Sequence, residues 1–326
     1  MRCCVFSTKP YDERFLSEAS ANHALTFLEP RLTIETAALA DGFDAACLFV
    51  NDEASADVIE RLASMGVRFI VLRSAGFNNV DLDVCKQHGI RVARVPAYSP
   101  QGVAEHAVGL MLALNRRLPK AYNRVREGNF ALDGLLGFQM HGKTAGVVGT
   151  GLIGAACCRI LRGFGMTVLA HDPNPADGLD VEYVELDQLW AESDVITLHV
   201  PLFDATYHLV NDDTLGRMKD GVMLINTSRG GLVDTRAVIA ALKSQKLGAL
   251  GLDVYEEEDG LFFSDRSGDI LGDDTFARLL TFPNVLITGH QAFFTREALT
   301  EIAQTTIDNL TRFEAGAEAP NEVRAD

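Results

Sequence analysis

Short apolar runs alternate with longer amphipathic stretches along most of this 326-residue chain. From Thr144 onward, helix-sized segments separate six such runs, which are TAGVVG, TVLAHD, VITLHV, VMLINT, LGALGLDV and NVLITG. Continuous apolar runs joined by helical crossovers are typical of a parallel sheet that is buried on both faces. The pattern therefore predicts an α/β fold for this part of the chain.

The first hundred residues show the same alternation on a smaller scale. Further along the chain, two long helices are predicted at about Gln101–Asn115 and Arg296–Glu314. The candidate strands here are Arg2–Ser7, Ala45–Val50, Phe69–Leu72 and Arg91–Arg94, with a helix at Ala56–Met65. We predict two Rossmann-like or flavodoxin-like parallel-sheet domains. A nucleotide-binding domain (residues 101–296) is expected to be inserted into a substrate-binding domain (residues 1–100 and 297–326).

Charge and cysteine usage exclude several classes of function. The chain has 29 Lys and Arg against 45 Asp and Glu, a formal charge of −16, so binding of nucleic acid or an anionic membrane through a basic surface is not expected. No apolar run reaches the ~18 residues of a membrane-spanning helix. The six cysteines form no CxxC pair and no zinc-type spacing, so we predict no metal site and a reducing, cytoplasmic location.

A glycine-rich turn follows the first apolar run of the second series. Gly149, Gly151 and Gly154 fit the pattern G-x-G-x-x-G, and Asp172 ends the next strand about 20 residues further on. Such glycines allow a tight turn, close approach of a pyrophosphate and close packing of the following helix, while the acid binds the ribose 2′-hydroxyl. Asp172 would repel a 2′-phosphate, and no arginine follows it, so the sequence favours NAD over NADP.

Three polar side chains follow apolar strands where ligands bind in open α/β sheets. Arg229 follows VMLINTS, Glu258 comes shortly after LGLDV, and His290 follows VLITG. A histidine transfers protons near neutral pH, a carboxylate orients it and stabilises its charged form, and an arginine binds a 2-oxo carboxylate. These residues predict an acid/base pair and an anion-binding group for reducing a ketone. Because Glu258 lies in an acidic run (256–259) and strand-end arginines often form surface ion pairs, solvated surface roles remain open.

With these residues, the chain resembles the D-isomer-specific 2-hydroxyacid dehydrogenases over essentially its whole length. Within that family it is most similar to the NAD-dependent enzymes that interconvert pyruvate and D-lactate. The segments that carry the resemblance are SAGFNNVDL, VPAYSPQGVAEHAVG, LNRR, GFGM, SDVITLHVPL, INTSRGGLVD, LDVYEEE and GHQAFFTREAL. The segment Gly260–Phe276 also resembles an insertion typical of the lactate-specific members.

The resemblance implies roles for further residues. Backbone N–H groups of the loop Ser74-Ala75-Gly76 and the hydroxyl of Tyr98 would hold the substrate carboxylate, with Phe293 beside the substrate methyl. Arg229 would orient the substrate, and His290 would be the acid/base assisted by Glu258. The implied NAD contacts are Leu152 and Ile153 at the pyrophosphate, Val200, Pro201 and Thr206 at the adenosine, and Thr227, Ser228, Arg229, Asp253 and His290 at the nicotinamide.

The function implied is reversible hydride transfer between NADH and pyruvate. Two alternatives stay open: a different substrate (hydroxypyruvate, glyoxylate or a bulkier 2-oxo acid), or a non-catalytic NAD-sensing scaffold. The resemblance also implies a homodimer or homotetramer formed through the nucleotide-binding domain. The apolar stretch Gly109–Leu114 fits either such an interface or burial within one chain.

Overall fold

The computed structural model describes residues 1–20, 22–258 and 260–325, and the chain separates into two compact units. Unit 1 comprises Met1–Ser99 and Phe294–Asp326, and unit 2 comprises Pro100–Phe293. Each unit is built on its own sheet, and both sheets are dominated by parallel pairs. The predicted α/β class with two parallel-sheet domains is confirmed.

The sheet of unit 1 contains six strands among the described residues, in the order β13-β5-β4-β3-β1-β2. The strands are β1 (Arg2–Val5), β2 (Ala24–Phe27), β3 (Ala45–Leu48), β4 (Phe69–Leu72), β5 (Arg91–Ala93) and β13 (Glu322–Val323). Only the short edge strand β13 pairs antiparallel. The remaining order, 2-1-3-4-5, is that of flavodoxin-like sheets, as predicted.

Helices cover both faces of this sheet. They are α1 (Pro10–Ala19), α2 (Ala56–Ser64), α3 (Leu82–Gln87) and α11 (Arg296–Glu314). Two buried clusters result, one containing Ile59 and Leu62 of α2 and the other Leu310 and Phe313 of α11. The last helix thus packs on the N-terminal sheet.

Unit 2 contains a seven-stranded parallel sheet within the described ranges, in the order β12-β11-β10-β9-β6-β7-β8. Its strands are β6 (Thr144–Val148), β7 (Thr167–His171), β8 (Glu182–Tyr183), β9 (Val195–Leu198), β10 (Val222–Asn226), β11 (Leu247–Leu252) and β12 (Val285–Ile287). The chain reverses its direction of winding between β6 and β9, where doubly wound sheets bind their ligands. The six predicted strands are all present, with β8 as an addition at the edge.

Two helical layers complete unit 2. One layer includes α4 (Pro100–Asn115) and α6 (Leu152–Gly163), and the other includes α7 (Leu186–Glu192), α8 (Asp212–Arg217), α9 (Thr235–Lys243) and α10 (Asp274–Leu280). Leu110, Met111 and Leu114 of α4 are buried in the core of this unit. Burial within one chain, the second reading of Gly109–Leu114, therefore holds for these three side chains. No described helix is long and apolar enough to cross a bilayer.

The stretch 116–143 includes a helix that we did not predict. Helix α5 (Leu118–Arg126) presents Leu118, Tyr122 and Val125 at helical spacing, yet it has no buried residue. Apolar side chains that do not reach a core give no reliable helix signal among so many charged neighbours.

All six cysteines are free and buried, and burial raises the pKa of the Cys47 thiol to about 11.

Candidate active site

The predicted catalytic residues of unit 2 follow three adjacent strands at one edge of the sheet. Arg229 lies three residues beyond β10, Glu258 follows β11, and His290 lies three residues beyond β12. These strands are neighbours and in register, since Asn226 pairs with Leu252 and Leu252 with Ile287. The carboxyl ends of parallel strands share an edge, which places all three loops on the same side.

The imidazole of His290 contacts the carboxylate of Glu258. The Nδ1 atom lies 2.9 Å from Glu258 Oε1, and the two side chains are 19% and 23% exposed. The other carboxylate oxygen, Oε2, accepts the backbone N–H of Tyr255 at 3.0 Å. Glu258 is therefore fixed by the main chain through one oxygen and orients the imidazole with the other, and it contacts Nδ1 rather than Nε2.

Two carboxylates of the acidic run 256–259 contact different histidines, since Glu258 contacts His290 and Glu256 contacts His208. Glu256 Oε1 lies 2.6 Å from His208 Nε2, and Glu256 Oε2 accepts a hydrogen bond from the Thr235 hydroxyl at 2.9 Å. Asp259 lies outside the described residues. A solvated face, the alternative interpretation of this run, does not describe Glu256 or Glu258.

Asp253 anchors the loop that carries His290. Its side chain is 0% exposed and accepts hydrogen bonds from the Thr288 hydroxyl at 2.5 Å, the Gln291 N–H at 2.9 Å and the Ala292 N–H at 2.8 Å. Its backbone carbonyl accepts the N–H of His290 at 2.7 Å. Together these bonds hold His290 with φ at 53°, a left-handed conformation that is unfavourable for a non-glycine residue.

The ionisation of Asp253 follows from these bonds. Burial disfavours the carboxylate, but hydrogen bonds from His106, Thr288 and the two backbone amides outweigh burial and lower the pKa of Asp253. His106 Nε2 lies 3.0 Å from Thr288 Oγ1 and 3.4 Å from Asp253 Oδ1. His106 thus contacts the loop that carries His290, although no sequence signal linked it to this loop.

Replacing Asp253 with asparagine is expected to lower the free energy of unfolding by about 1–3 kcal/mol, because its amide would face a backbone N–H left without an acceptor. Since the folded-state pKa of Asp253 is lowered, the carboxylate stabilises the protein above the unfolded pKa and loses that effect as pH falls. Denaturant unfolding at neutral and acidic pH measures both effects. The control is Asp220→Asn, whose carboxylate is 90% exposed. Equal stability of D253N and wild type at neutral pH would contradict the anchoring role.

The guanidinium of Arg229 is exposed and forms no ion pair with a carboxylate of the described residues. Its Nη1 donates to the carbonyl of Ser228 at 2.7 Å, and its own carbonyl accepts from Asn226 Nδ2 at 2.8 Å. Its neighbour Gly230 packs so closely on residues 255–256 that a Cβ there would lie 2.1 Å from the Tyr255 carbonyl oxygen. The cationic loop therefore lies directly against the loop that leads to Glu258.

The glycine turn after β6 has the geometry that its sequence predicted. Gly149 adopts φ +92°, and a Cβ at Gly154 would lie 1.9 Å from the Gly149 carbonyl oxygen. Gly151, the N-cap of α6, has open space where a Cβ would stand. Within the described chain, the N–H groups of Leu152 and Ile153 have no recorded acceptor. This turn fits a pyrophosphate, because unpaired amides at a helix N-terminus bind anions.

Asp172 is tied to the same turn. Its Oδ2 accepts the Thr150 N–H at 2.6 Å and its Oδ1 accepts the Asn174 N–H at 2.8 Å. Burial disfavours its charge, but these bonds and the Thr150 hydroxyl lower the pKa of Asp172. The half-buried carboxylate remains the predicted partner of the ribose.

The other predicted cofactor residues lie at the ends of β9 and β10. Thr206 closes the loop after β9, since its hydroxyl donates to the Pro201 carbonyl at 2.7 Å, and Val200 packs beside Gly149. Ser228 donates to the Leu198 carbonyl at 2.7 Å, whereas the buried hydroxyl oxygen of Thr227 has no hydrogen-bond partner among the residues that the structure describes. An orphaned buried hydroxyl at a strand end fits a polar ligand group such as a nicotinamide carboxamide.

Two aromatic rings border His290 in unit 2. The Phe293 ring stands edge-on to the His290 ring at a centroid distance of 6.5 Å, and the Phe263 ring lies 5.4 Å from it. The contact of Phe293 with a substrate methyl remains a prediction. Phe263 belongs to the segment Gly260–Phe276 and has a left-handed φ of 63°. The sequence indicated the segment but not this ring, because no periodicity links Phe263 to His290.

The predicted carboxylate loop belongs to unit 1 and follows β4. The Ser74 hydroxyl donates to the Gly76 carbonyl at 2.8 Å, which folds the loop on itself. In the part of the chain that the structure describes, the N–H groups of Ala75 and Gly76 have no recorded acceptor. Tyr98 is half-buried in the same unit. These features suit an anion, and the contact itself remains a prediction.

Comparison with known proteins places these sites in a family. The sequence model for the NAD-binding domain of D-isomer specific 2-hydroxyacid dehydrogenases matches residues 108–292. The D-lactate dehydrogenase of Escherichia coli K12 is 55% identical over 328 residues, covering 99% of this chain and 100% of that protein.

Solved structures agree with the sequence comparison. The pyruvate reductase of Chlamydomonas reinhardtii is similar with a TM-score of 0.94 at 49% identity, covering 98% of both chains. The D-lactate dehydrogenase of Aquifex aeolicus, solved with NAD and lactic acid, has a TM-score of 0.88 at 34% identity and 99% coverage of both chains. With its glycine turn, its strand-end residues and these full-length matches, the chain belongs to the D-isomer specific 2-hydroxyacid dehydrogenase family.

Proposed function

We propose that the protein is an NAD-dependent D-lactate dehydrogenase, which reduces pyruvate with NADH to D-lactate and catalyses the reverse reaction. The observation that carries the proposal is the 2.9 Å contact between His290 and Glu258 at the ligand-binding edge of the unit 2 sheet. The relative that is a D-lactate dehydrogenase matches over the full chain and supports this choice of substrate.

The residues of the turn and strand ends would hold NAD, which supplies or accepts the hydride when bound. Leu152 and Ile153 would donate to the pyrophosphate, Asp172 would accept from the ribose, and Thr227 would meet the nicotinamide side. Gly149, Gly151 and Gly154 keep the turn close, while Val200, Pro201 and Thr206 form the adenosine side and Ser228 and Asp253 hold the loops. Unit 2 is accordingly proposed as the NAD-binding domain and unit 1 as the substrate-binding domain.

The side chains of this protein divide the remaining work. Arg229 and the Ser74–Gly76 amides would orient the pyruvate carboxylate, Tyr98 would add a hydroxyl, and Phe293 would border the methyl group. Protonated His290, stabilised by Glu258, would donate the Nε2 proton to the carbonyl oxygen as negative charge develops there. In lactate oxidation the same nitrogen would accept the proton.

The decisive experiment is NADH oxidation with pyruvate, hydroxypyruvate, glyoxylate and phenylpyruvate, followed by assignment of product chirality. The proposal expects the highest kcat/KM with pyruvate and D-lactate as the product. A higher kcat/KM with another acid would move the substrate assignment within the family. NADH binding without oxidation by any 2-oxo acid would instead favour a non-catalytic scaffold.

Glu258→Gln is expected to lower kcat for pyruvate reduction by about tenfold or more, the usual effect of losing one charge-assisted hydrogen bond. The neutral amide no longer offers a carboxylate oxygen to His290 Nδ1, so the imidazole is held less firmly for proton transfer. Steady-state kinetics with pyruvate measure the loss, with Glu257→Gln as the adjacent, exposed control. A kcat equal to that of wild type would exclude the assisting role of Glu258.

We further propose a homodimer or homotetramer formed through unit 2. Its segment 118–138 exposes an unusual run of large apolar side chains, namely Leu118, Tyr122, Val125, Phe130, Leu132, Leu136 and Phe138. Such a patch is typical of an interaction surface.

The buried cysteines fit a reducing compartment, which supports a cytoplasmic location as a prediction.

The double variant Leu132→Asp, Leu136→Asp is expected to lower the molar mass in solution below that of the wild-type oligomer. These side chains are 82% and 90% exposed, and charges in a buried interface would carry a large desolvation cost. Light scattering coupled to size exclusion measures the mass, with Ile270→Asp (97% exposed, outside the segment) as the control. An unchanged oligomer mass in the double variant would exclude this surface.

A further inference from the structure

The three carbonyl groups of the loop Ser74–Gly76 are all bound within unit 1. Ser74 accepts the N–H of Val95 at 3.0 Å, and Gly76 accepts the hydroxyl of Ser74 at 2.8 Å. The carbonyl between them, that of Ala75, accepts a hydrogen bond from Arg94 Nη1 at 2.7 Å. Arg94 is thus the one charged side chain recorded as a donor to this loop in the described chain.

The direction of each carbonyl fixes the direction of the next amide. In a planar trans peptide, the C=O of one residue and the N–H of the following residue point in opposite directions. Binding of the Ala75 carbonyl to Arg94 therefore turns the Gly76 N–H away from Arg94. In the same way, the bond between the Ser74 carbonyl and the Val95 N–H turns the Ala75 N–H away from Val95. Within the described residues both amides lack an acceptor, and each points away from the group that binds the preceding carbonyl.

Arg94 is itself held firmly at the end of β5. Its guanidinium lies over the ring of Phe77 at 5.1 Å from the centroid, and its main chain bonds to Asn309 Nδ2 at 3.0 Å and to the Asn321 carbonyl at 3.1 Å. A stacked and hydrogen-bonded guanidinium loses little further freedom when it orients a neighbour.

The charge of Arg94 is also not neutralised locally. No ion pair between Arg94 and a carboxylate is recorded among residues 1–20, 22–258 and 260–325, in a chain whose net charge is −16. A half-buried positive charge adjacent to two open amides would attract an anion that the rest of the protein repels.

We propose that Arg94 is a positioning residue for the substrate carboxylate. It holds the Ala75–Gly76 peptide so that its N–H faces the carboxylate, and it supplies a positive charge on the opposite side of that peptide. This inference rests on the proposed function, because it assigns a role within the same carboxylate-binding loop. It concerns binding of the 2-oxo acid and leaves proton transfer at His290 unaffected.

Three variants separate the two contributions of Arg94. Arg94→Met removes both the donor and the charge, Arg94→Gln keeps a donor without charge, and Arg94→Lys keeps the charge with a donor of different shape. Loss of a charge-assisted hydrogen bond is expected to raise the KM for pyruvate about tenfold or more in R94M. The KM for NADH should stay nearly constant, and kcat should fall much less than kcat/KM. R94Q should lie between R94M and wild type, with R94K nearer to wild type.

Arg68→Met is the matched control, because Arg68 also lies over a phenylalanine ring of unit 1 (5.3 Å from Phe69) but is exposed and bonded elsewhere. Thermal unfolding of each variant reports folding. If R94M does not fold, R94Q and R94K decide, since a wild-type KM for pyruvate in R94Q overturns the proposal. A fall in kcat together with similar rises in the KM for pyruvate and the KM for NADH would also overturn the proposal. Such a result would indicate a general structural defect in the variant.

Binding of oxamate in the presence of NADH provides a test independent of turnover. Oxamate carries the same carboxylate, so calorimetry should give a weaker affinity for R94M by about the same factor as the KM. Unchanged oxamate affinity overturns the positioning role even if wild type reduces pyruvate rapidly. Failure of the proposed function is distinct, because wild type itself would then not oxidise NADH with any 2-oxo acid, while oxamate binding would still test Arg94.

Discussion

Replacing His290 with glutamine is expected to lower kcat for pyruvate reduction by about 10²–10⁴-fold, the usual contribution of a general acid. Glutamine keeps a polar side chain near Glu258 but has no proton to transfer at neutral pH. His290 is one of several implied NAD contacts and the glycine turn is unchanged, so NADH should still bind to H290Q. Steady-state NADH oxidation and a fluorescence titration with NADH measure the two effects.

The control for this variant is His88→Gln, an exposed histidine at the end of α3 in unit 1. Its kcat should equal that of wild type. If H290Q retained wild-type turnover, His290 would not be the acid. If H290Q lost NADH binding as well, the fall in rate would reflect the cofactor site and not proton transfer.

Arg229→Gln is expected to lower kcat/KM for pyruvate by about 10²–10³-fold, because truncating one partner of a hydrogen-bonded charge pair costs about 2–5 kcal/mol. The guanidinium is exposed and without a recorded carboxylate partner in the described chain, so it is available to an anionic substrate. Arg229→Lys should recover part of the loss, because lysine keeps the charge but not the bidentate geometry.

The matched control is Arg236→Gln, an exposed arginine in the first turn of α9. Steady-state kinetics with pyruvate and unfolding curves for both variants separate substrate binding from folding. Wild-type kcat/KM in R229Q would remove Arg229 from the site. A loss of stability as large as that of activity would indicate a structural role in the 227–231 loop.

Much of the fold was predictable because apolar runs report burial directly. β10 (VMLIN) is buried at every position, as expected for a central parallel strand, and its run appeared in the sequence without alternation. β2 (ALTF) is an edge strand with alternating half exposure and gave no comparable run, so we did not predict it. The helix α5 escaped notice for a related reason, since none of its residues is buried.

The sequence predicted which types of residue form the candidate site but not which side chains contact one another. Glu258 was selected from an acidic run for which a solvated face stayed open. Only the fold directs Glu258 to His290 and Glu256 to His208. The resemblance placed Asp253 on the nicotinamide side, whereas the structure shows its carboxylate bonded to the loop of His290. A nicotinamide contact of Asp253 stays a prediction.

The sequence by itself determined the α/β class, the glycine turn and the strand-end positions of Arg229, Glu258 and His290. Local chemistry specifies such features, because burial selects apolar runs and a tight turn selects glycine. Tertiary structure decided which side chains meet: Arg94 with the Ala75 carbonyl, and Asp253 with the amides beyond His290. Those partners are far apart along the chain, and only the register of neighbouring strands brings their loops within hydrogen-bond distance.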